Sequence, residues 1–303
     1  MHHRPDPLTV TALTLAVVSI SASAPMIAYA AAPALALAFW RNVLAAGVLA
    51  PAAVARRGPE LRALVRGDKR REGGYSLLAG AALAVHFGAW MPSAKLTSVA
   101  TATALVCTQP VWQGLIATRQ GKRLPRATWV GIGMAVGGAT LATGADIGVS
   151  GKAILGDLLA LIGAVAAAVY TAFGERARTE ISTTTYTLVC YTTCAVGLLG
   201  VCLIGQVRLV GFDTATWLVV LGLVIGPQLL GHSMFNYALH KISATTVSIL
   251  VLLEVPGSAL IAWAWLDQLP PLASLPGLSL LVAGVAVVVL AGTRPIHHPQ
   301  AEL

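Results

Sequence analysis

Charge is what this sequence lacks. Of 303 residues only 11% are Asp, Glu, Lys or Arg, and only twelve are acidic. Soluble domains carry about 25% charged residues. A chain with less than half of that, 56% apolar and with a mean hydropathy of +0.77, could not keep a water-facing surface. Cysteine is equally scarce: four in the whole chain, too few for a small secreted disulfide scaffold. The hydropathy excludes disorder. Catalytic signatures are also missing. There is no His-Glu-x-x-His, no Gly-x-Ser-x-Gly and no Gly-x-x-x-x-Gly-Lys, which removes the zinc-protease helix, the hydrolase elbow and the phosphate loop of an ATP-driven pump. Gly131-Ile132-Gly133 is followed by Gly137, one place too late for a dinucleotide fingerprint. What is left is a polytopic helical membrane protein, each span of which needs about 20 apolar residues.

Runs without any charge mark the spans. Gly73–Ala94, Leu96–Thr118, Ala127–Ala145, Ile181–Val207 and Thr214–His240 contain no Asp, Glu, Lys or Arg, and Ile242–Leu266 is interrupted only by Glu254. Ten helices are expected, at 8–30, 34–54, 75–94, 97–118, 127–145, 154–174, 183–205, 214–239, 243–266 and 272–292. Against the rival reading of the first as a cleaved signal peptide ending at Ala28-Tyr29-Ala30 stands its length, because the run from Leu8 is longer than a typical signal core, and the first span is expected to be retained. Basic residues orient the bundle. Odd-numbered connections hold only Lys95, Lys152 and Arg208; the even-numbered connections and the tails hold sixteen Lys and Arg, with Arg41 left inside span 2. Since Lys and Arg resist translocation, both termini are expected in the cytoplasm and the protein in the inner (plasma) membrane. The net charge of +8 is thus topological, and no nucleic-acid partner is expected.

Shifting the sequence by 146 residues superimposes its halves without a gap: His86 falls on His232, Lys95 on Lys241, Thr97 on Ser243, Pro110 on Pro256, Pro125 on Pro271, Gly131 on Gly277 and Gly138 on Gly284. Five spans per half is an odd number, so the second half enters the membrane from the opposite side. Inverted repeats of this kind underlie alternating-access carriers. The expected division is a first repeat over 8–145, a second over 154–292, and cytoplasmic tails at 1–7 and 293–303.

Several local motifs fit one family. They are Gly156-Asp157-x-Leu159-Ala160-Leu161 leading to Ala168-x-Tyr170, and Asn236-Tyr237-Ala238-Leu239 ahead of Ser243-Ala244 and Pro256. Asp267-Gln268-Leu269-Pro270 precedes Gly277 and Gly284-Val285, and Arg41 stands in span 2. With these the chain resembles the drug/metabolite transporter superfamily, of the ten-helix type built from two EamA domains. Two positions depart from that pattern: span 1 has no Trp, and Gly121 stands opposite Asp267. The resemblance implies export of a small organic metabolite, amino acid or drug-like compound, with no cofactor and no metal.

Polar residues inside the spans are the candidate binding and coupling groups, because an ionisable side chain at such depth costs roughly 2.5–3.5 kcal/mol to insert. Arg41 is one, and Glu254, two residues before Pro256, is the only acid deep in a span. Pro110 and Pro256 should break their helices and free backbone carbonyls. His86 and Trp90 share a face of span 3, and His232 and Asn236 repeat that spacing in span 8. Gln109 and Trp112 complete the set, and the cavity is expected among spans 3, 4, 8 and 9. Beside the substrate, the expected partner is the lipid bilayer; a coupling proton, with facilitated exchange as its alternative, and a second copy of the chain are open. Gly133-x-x-x-Gly137 and Gly222-x-x-x-Gly226 are expected to pack helices closely or to form the dimer seam. The four cysteines read as apolar filler. The competing functions are a membrane-embedded enzyme using Glu254 with the His86/His232 pair, and a non-transporting structural or sensory membrane protein.

Overall fold

The computed structural model describes residues 6–96, 102, 105–143, 151–266 and 272–292, and among them there is no strand. Thr97, the Asp267–Pro271 stretch and both tails lie outside the described residues. In chain order the helices are α1 (Pro7–Ser21), α2 (Ser23–Tyr29), α3 (Ala34–Arg66), α4 (Arg70–Leu96), α5 (Gln109–Arg119), α6 (Arg126–Thr143) and α7 (Gly151–Ala177). They continue as α8 (Thr183–Ile204), α9 (Thr214–Leu223), a π-helical segment (Val224–His232), α10 (Ser233–Ala238), α11 (Ala244–Val251), α12 (Glu254–Leu266), a short 3-10 turn (Leu272–Ser274) and α13 (Leu275–Gly292). These elements occupy the ten expected spans, of which seven are long and apolar enough to cross a membrane as described.

Local chemistry sets several starts. Asp6, Ser182, Asp213 and Ser243 each accept a hydrogen bond from the backbone N–H three residues on, satisfying one of the free donors of a helix N-terminus. Helix α3 runs 33 residues, well past its apolar part, and Arg57 (φ −127°, ψ 16°) kinks it where the basic extension begins. Spans 4 and 9 are each interrupted just ahead of a proline. Turn residues Cys107 and Thr108 precede Pro110, and Leu252 and Leu253 precede Glu254 and Pro256. A proline there has no N–H to donate to the preceding turn.

The repeat is visible in how α6 meets α13. A Cβ placed on Gly138 would sit 2.6 Å from the Gly277 carbonyl oxygen, and one placed on Gly284 would sit 2.6 Å from that of Gly131. The first contact becomes the second when each glycine is replaced by its repeat partner. Rising numbers in α6 meet falling numbers in α13, so the two equivalent helices run antiparallel across a local two-fold axis. Equivalent helices that pack in opposite directions belong to halves of opposite orientation in the bilayer. The fold is therefore a polytopic bundle of two inverted five-helix repeats.

Gly133, Gly137 and Gly226 do not pack helices together within this chain: nothing in it approaches within 4 Å of a Cβ at any of them, and Gly133 is exposed. The close approach uses glycines seven apart, two turns along one face, instead of four apart.

Elsewhere α3 packs on α8, α4 on α7 and α8, and span 8 on α1. The buried faces carry small residues. Helix α7 buries Ala160, Ala164, Ala167, Ala168 and Gly163, while Ile154, Leu155, Leu158 and Ile162 face outward. At the end holding the even-numbered connections, polar bonds tie the repeats together. Lys241 pairs with Asp6, and Lys122 with Glu175 at 2.6 Å. Glu60, in the extension beyond the α3 kink, accepts from Ser182 N (2.9 Å), Ser182 Oγ (2.6 Å) and Thr185 Oγ1 (2.6 Å). Partial burial would raise the Glu60 pKa, but these hydrogen bonds together outweigh it and hold the carboxyl below its usual range. The Lys241 ammonium and the Thr9 amide bring Asp6 down to about 2.

Candidate functional site

Span 2 delivers Arg41 to the middle of the bundle, where it is 1% exposed. Its Nε donates to Gln228 Oε1 at 2.7 Å, and its guanidinium carbon lies 4.4 Å from the centre of the Phe87 ring. Gln228 is itself held, donating from Nε2 to Asn42 Oδ1 at 3.1 Å. The π-helical turn makes this possible. Pro227 cannot donate to the turn before it, the helix widens, and Gln228 is presented to span 2 while its carbonyl accepts from Tyr191 Oη (3.3 Å) and Ser233 Oγ (3.2 Å).

The two repeat-related histidines lie in one chain of contacts but in different surroundings. His86 donates from Nδ1 to the Gly163 carbonyl at 2.9 Å and lies parallel to Trp90, with ring centres 5.9 Å apart. A carbonyl can only accept, so that bond places a proton on Nδ1. His232, half-buried, meets Phe87 edge-on at 5.4 Å and Tyr170 at 6.1 Å. Tyr170 donates to Asn236 Oδ1 at 2.8 Å, and the Asn236 backbone carbonyl accepts from Arg178 Nε at 3.0 Å. Contacts thus run unbroken from Arg41 through Phe87, His232 and Tyr170 to Asn236, with His86 and Trp90 branching from Phe87.

Glu254 is half-buried at the first position of α12, immediately after the helix break. It stands within electrostatic reach of Arg41 yet beyond ion-pair distance. The ion pairs among the described residues are Lys122–Glu175 and Lys241–Asp6, and its carboxylate accepts no hydrogen bond from them. Gln109, with Pro110 at the start of α5, donates to Thr171 Oγ1 on α7 at 3.3 Å. Trp112 donates to Thr108 Oγ1 of its own span at 3.2 Å. The polar contacts therefore reach beyond spans 3, 4, 8 and 9 and draw in spans 2, 6 and 7. Gln228, Asn42, Phe87, Tyr170 and Tyr191 had no place among the sequence-based candidates; Gly226-Pro227 inside an apolar run was the available signal for the first.

Four buried donors of this cluster have no partner among the described residues: Arg41 Nη1, Arg41 Nη2, Trp90 Nε1 and Asn236 Nδ2. Buried polar groups are normally bonded, so these donors and the acid stand out from the rest of the bundle as open to a partner. A separate apolar groove of about 610 Å³ lies between α4, α7 and α8. Its lining includes the outward-facing Val85, Ile162, Val196 and Val201, and it shares none of the polar residues.

Comparison with known proteins agrees with the architecture. The EamA-like transporter family matches residues 7–144 and again 154–290. A solved crystal structure superimposes with a TM-score of 0.73 over 95% of this chain and 98% of the other; at 23% identity the likeness is one of fold. No curated protein matches the sequence. The chain belongs to the EamA-like transporter family, and is a multi-pass membrane transporter of the drug/metabolite superfamily.

Proposed function

We propose that the protein is a secondary transporter that exports a small organic metabolite, amino acid or drug-like compound across the inner membrane by alternating access. Both termini lie in the cytoplasm. The repeats comprise 8–145 and 154–292, flanked by cytoplasmic tails. The observation that carries this reading is the buried cluster of unpaired polar groups at the meeting of two inverted halves. Arg41 belongs to the first repeat, while Gln228, His232 and Glu254 belong to the second. A relative movement of the halves changes the separation of the charges. Inverted repeats supply the two related packings that such a movement exchanges.

Glu254 is the proposed coupling group, taking up a proton or a cationic substrate group in alternation. Its position after the break in span 9 supports this, since a carboxylate without protein partners is available to either. Comparing metabolites in the medium of cells with and without overproduced protein names the solute. Counterflow of that solute in proteoliposomes then tests carriage, because only a carrier accelerates labelled uptake against a preloaded lumen. Glu254→Gln, matched for abundance, is expected to retain counterflow and to lose its response to an imposed pH gradient. Full gradient-driven transport by that variant would refute the coupling role.

A further inference from the structure

We infer that Arg41 is an anion site, and that the transported solute carries a carboxylate that docks on its two η nitrogens. The inference rests on the transport reading above and names the chemistry of its substrate.

The geometry leaves one side of the guanidinium free. Nε is occupied by Gln228, whose own orientation is set by Asn42, and the Phe87 ring covers one flat face. What remains is the edge formed by Nη1 and Nη2, both buried and both without a partner among the described residues. This is the edge through which arginine grips a carboxylate with two parallel hydrogen bonds. A purely structural arginine at this depth would be paired, since removing a charge from water without a counter-charge costs several kcal/mol. Glu254, the nearest candidate counter-ion, stands beyond ion-pair distance. The other unsatisfied groups of the cluster, Trp90 Nε1 and Asn236 Nδ2, are likewise donors. Three side chains on three spans therefore offer N–H groups and lack an acceptor.

The side chains around them are aromatic. Phe87, Trp90, Tyr170 and the two histidines meet one another by ring faces and edges, and these surroundings suit a solute body able to lie against rings. Arginine is preferred over lysine here because the site asks for a planar fork held against a ring rather than a mobile point charge.

The test is binding to the purified full-length protein in detergent, read as the shift of its unfolding temperature. The probes are phenylalanine with phenylalaninamide, 3-phenylpropionate with phenethylamine, and sodium chloride and phosphate as inorganic anions. At least one carboxylate is expected to stabilise the protein, while its amide or amine counterpart and the inorganic anions do not. This comparison needs no variant, so a misfolded mutant cannot blur it. Arg41→Lys should then weaken the apparent affinity by about thirtyfold or more, as a two-pronged charged contact becomes a single one. Equal shifts with acid and amide, a shift with chloride or phosphate alone, or no shift with any carboxylate each overturn the site. Carboxylate-selective binding without counterflow would keep the site and sink the transport reading, so the two failures are distinguishable.

Discussion

Four glycines at the α6–α13 crossing make a prediction about stability that also tests the two-fold relation of the repeats. In Gly138→Ala the new methyl would lie 2.6 Å from the Gly277 carbonyl oxygen, and in Gly284→Ala it would lie 2.6 Å from that of Gly131. Contacts of this kind relax to more than 3 Å, so each substitution pushes the helices apart by about half an ångström or more. Overpacking of a tight contact costs typically 1–3 kcal/mol, against which alanine returns at most about 1 kcal/mol of helix propensity. The net loss is roughly 1–2 kcal/mol, or a fall of a few degrees in unfolding temperature for a chain of this size. Gly133→Ala and Gly137→Ala place their methyls where nothing lies within 4 Å. They keep only the propensity gain and should leave the temperature unchanged or slightly raised.

The pair relation sharpens this further. Since the two contacts are exchanged by the repeat axis, Gly138→Ala and Gly284→Ala should cost the same within error. They also widen the same helix pair, so the double variant should lose less than the sum of the singles. The measurement is unfolding temperature in one detergent for all five variants and the parent. A loss at Gly133 as large as that at Gly138 would refute the crossing geometry. Unequal losses at 138 and 284 would refute the symmetry while leaving the crossing.

Two further predictions concern the latch at the end of the bundle that carries the even-numbered connections and the orientation of the two ends. Glu60→Gln keeps the shape but loses the charge that accepts from Ser182 and Thr185, and should destabilise by about 1–2 kcal/mol at neutral pH, after discounting for partial exposure. Because the folded-state pKa of Glu60 lies below its ordinary value, its contribution is present above the unfolded pKa and is lost as pH falls through the folded one. The gap in unfolding temperature between parent and variant should close as pH falls from about 5 downward; a constant gap would refute the charge-based latch. For orientation, alkaline phosphatase fused after Lys152 should be active and fused after Leu303 inactive, and the reverse pattern would overturn the assignment of the sixteen basic residues to the cytoplasm.

Hydropathy made the ten spans legible, because an uncharged run of about 20 residues has few other uses. The repeat was legible through His, Lys, Pro and Gly at a constant offset. Faces were not legible: the spans are apolar all round, so no stripe separates lipid from protein. The signal that does separate them is size, as α7 demonstrates by burying Ala and Gly while turning Ile and Leu outward. Glycine spacing misled for the same reason. Gly133-x-x-x-Gly137 has the familiar four-residue period, but which glycine meets a neighbour depends on the angle of approach, which a one-dimensional pattern does not carry. The link between Arg41 and Gln228, 187 residues apart, is a property of the packed bundle. No periodicity in either span foretells it.

The backbone of this protein is more symmetric than its chemistry, and that difference bears on how it could work. Under the repeat relation Glu254 corresponds to Thr108, Arg41 to Thr187, Gln228 to Ala82 and Trp90 to Asn236. The breaks ahead of Pro110 and Pro256 and the glycine crossing are kept in both halves, whereas the charged pair is not. Even the duplicated histidines differ, His86 being fixed by the Gly163 carbonyl and His232 meeting the Phe87 and Tyr170 rings. In the proposed cycle a symmetric frame gives two packings of comparable energy, since each half can take the conformation of the other. Asymmetric side chains give the site a polarity, so a solute enters in one orientation and meets Arg41 from the first repeat and Glu254 from the second. The Arg41–Gln228 bond crosses between repeats and ties the guanidinium to the π-helical turn. A relative rotation of the halves must stretch or exchange it. A carboxylate on the free edge of the same guanidinium would offset that loss as it happens, which couples occupancy of the site to movement of the halves.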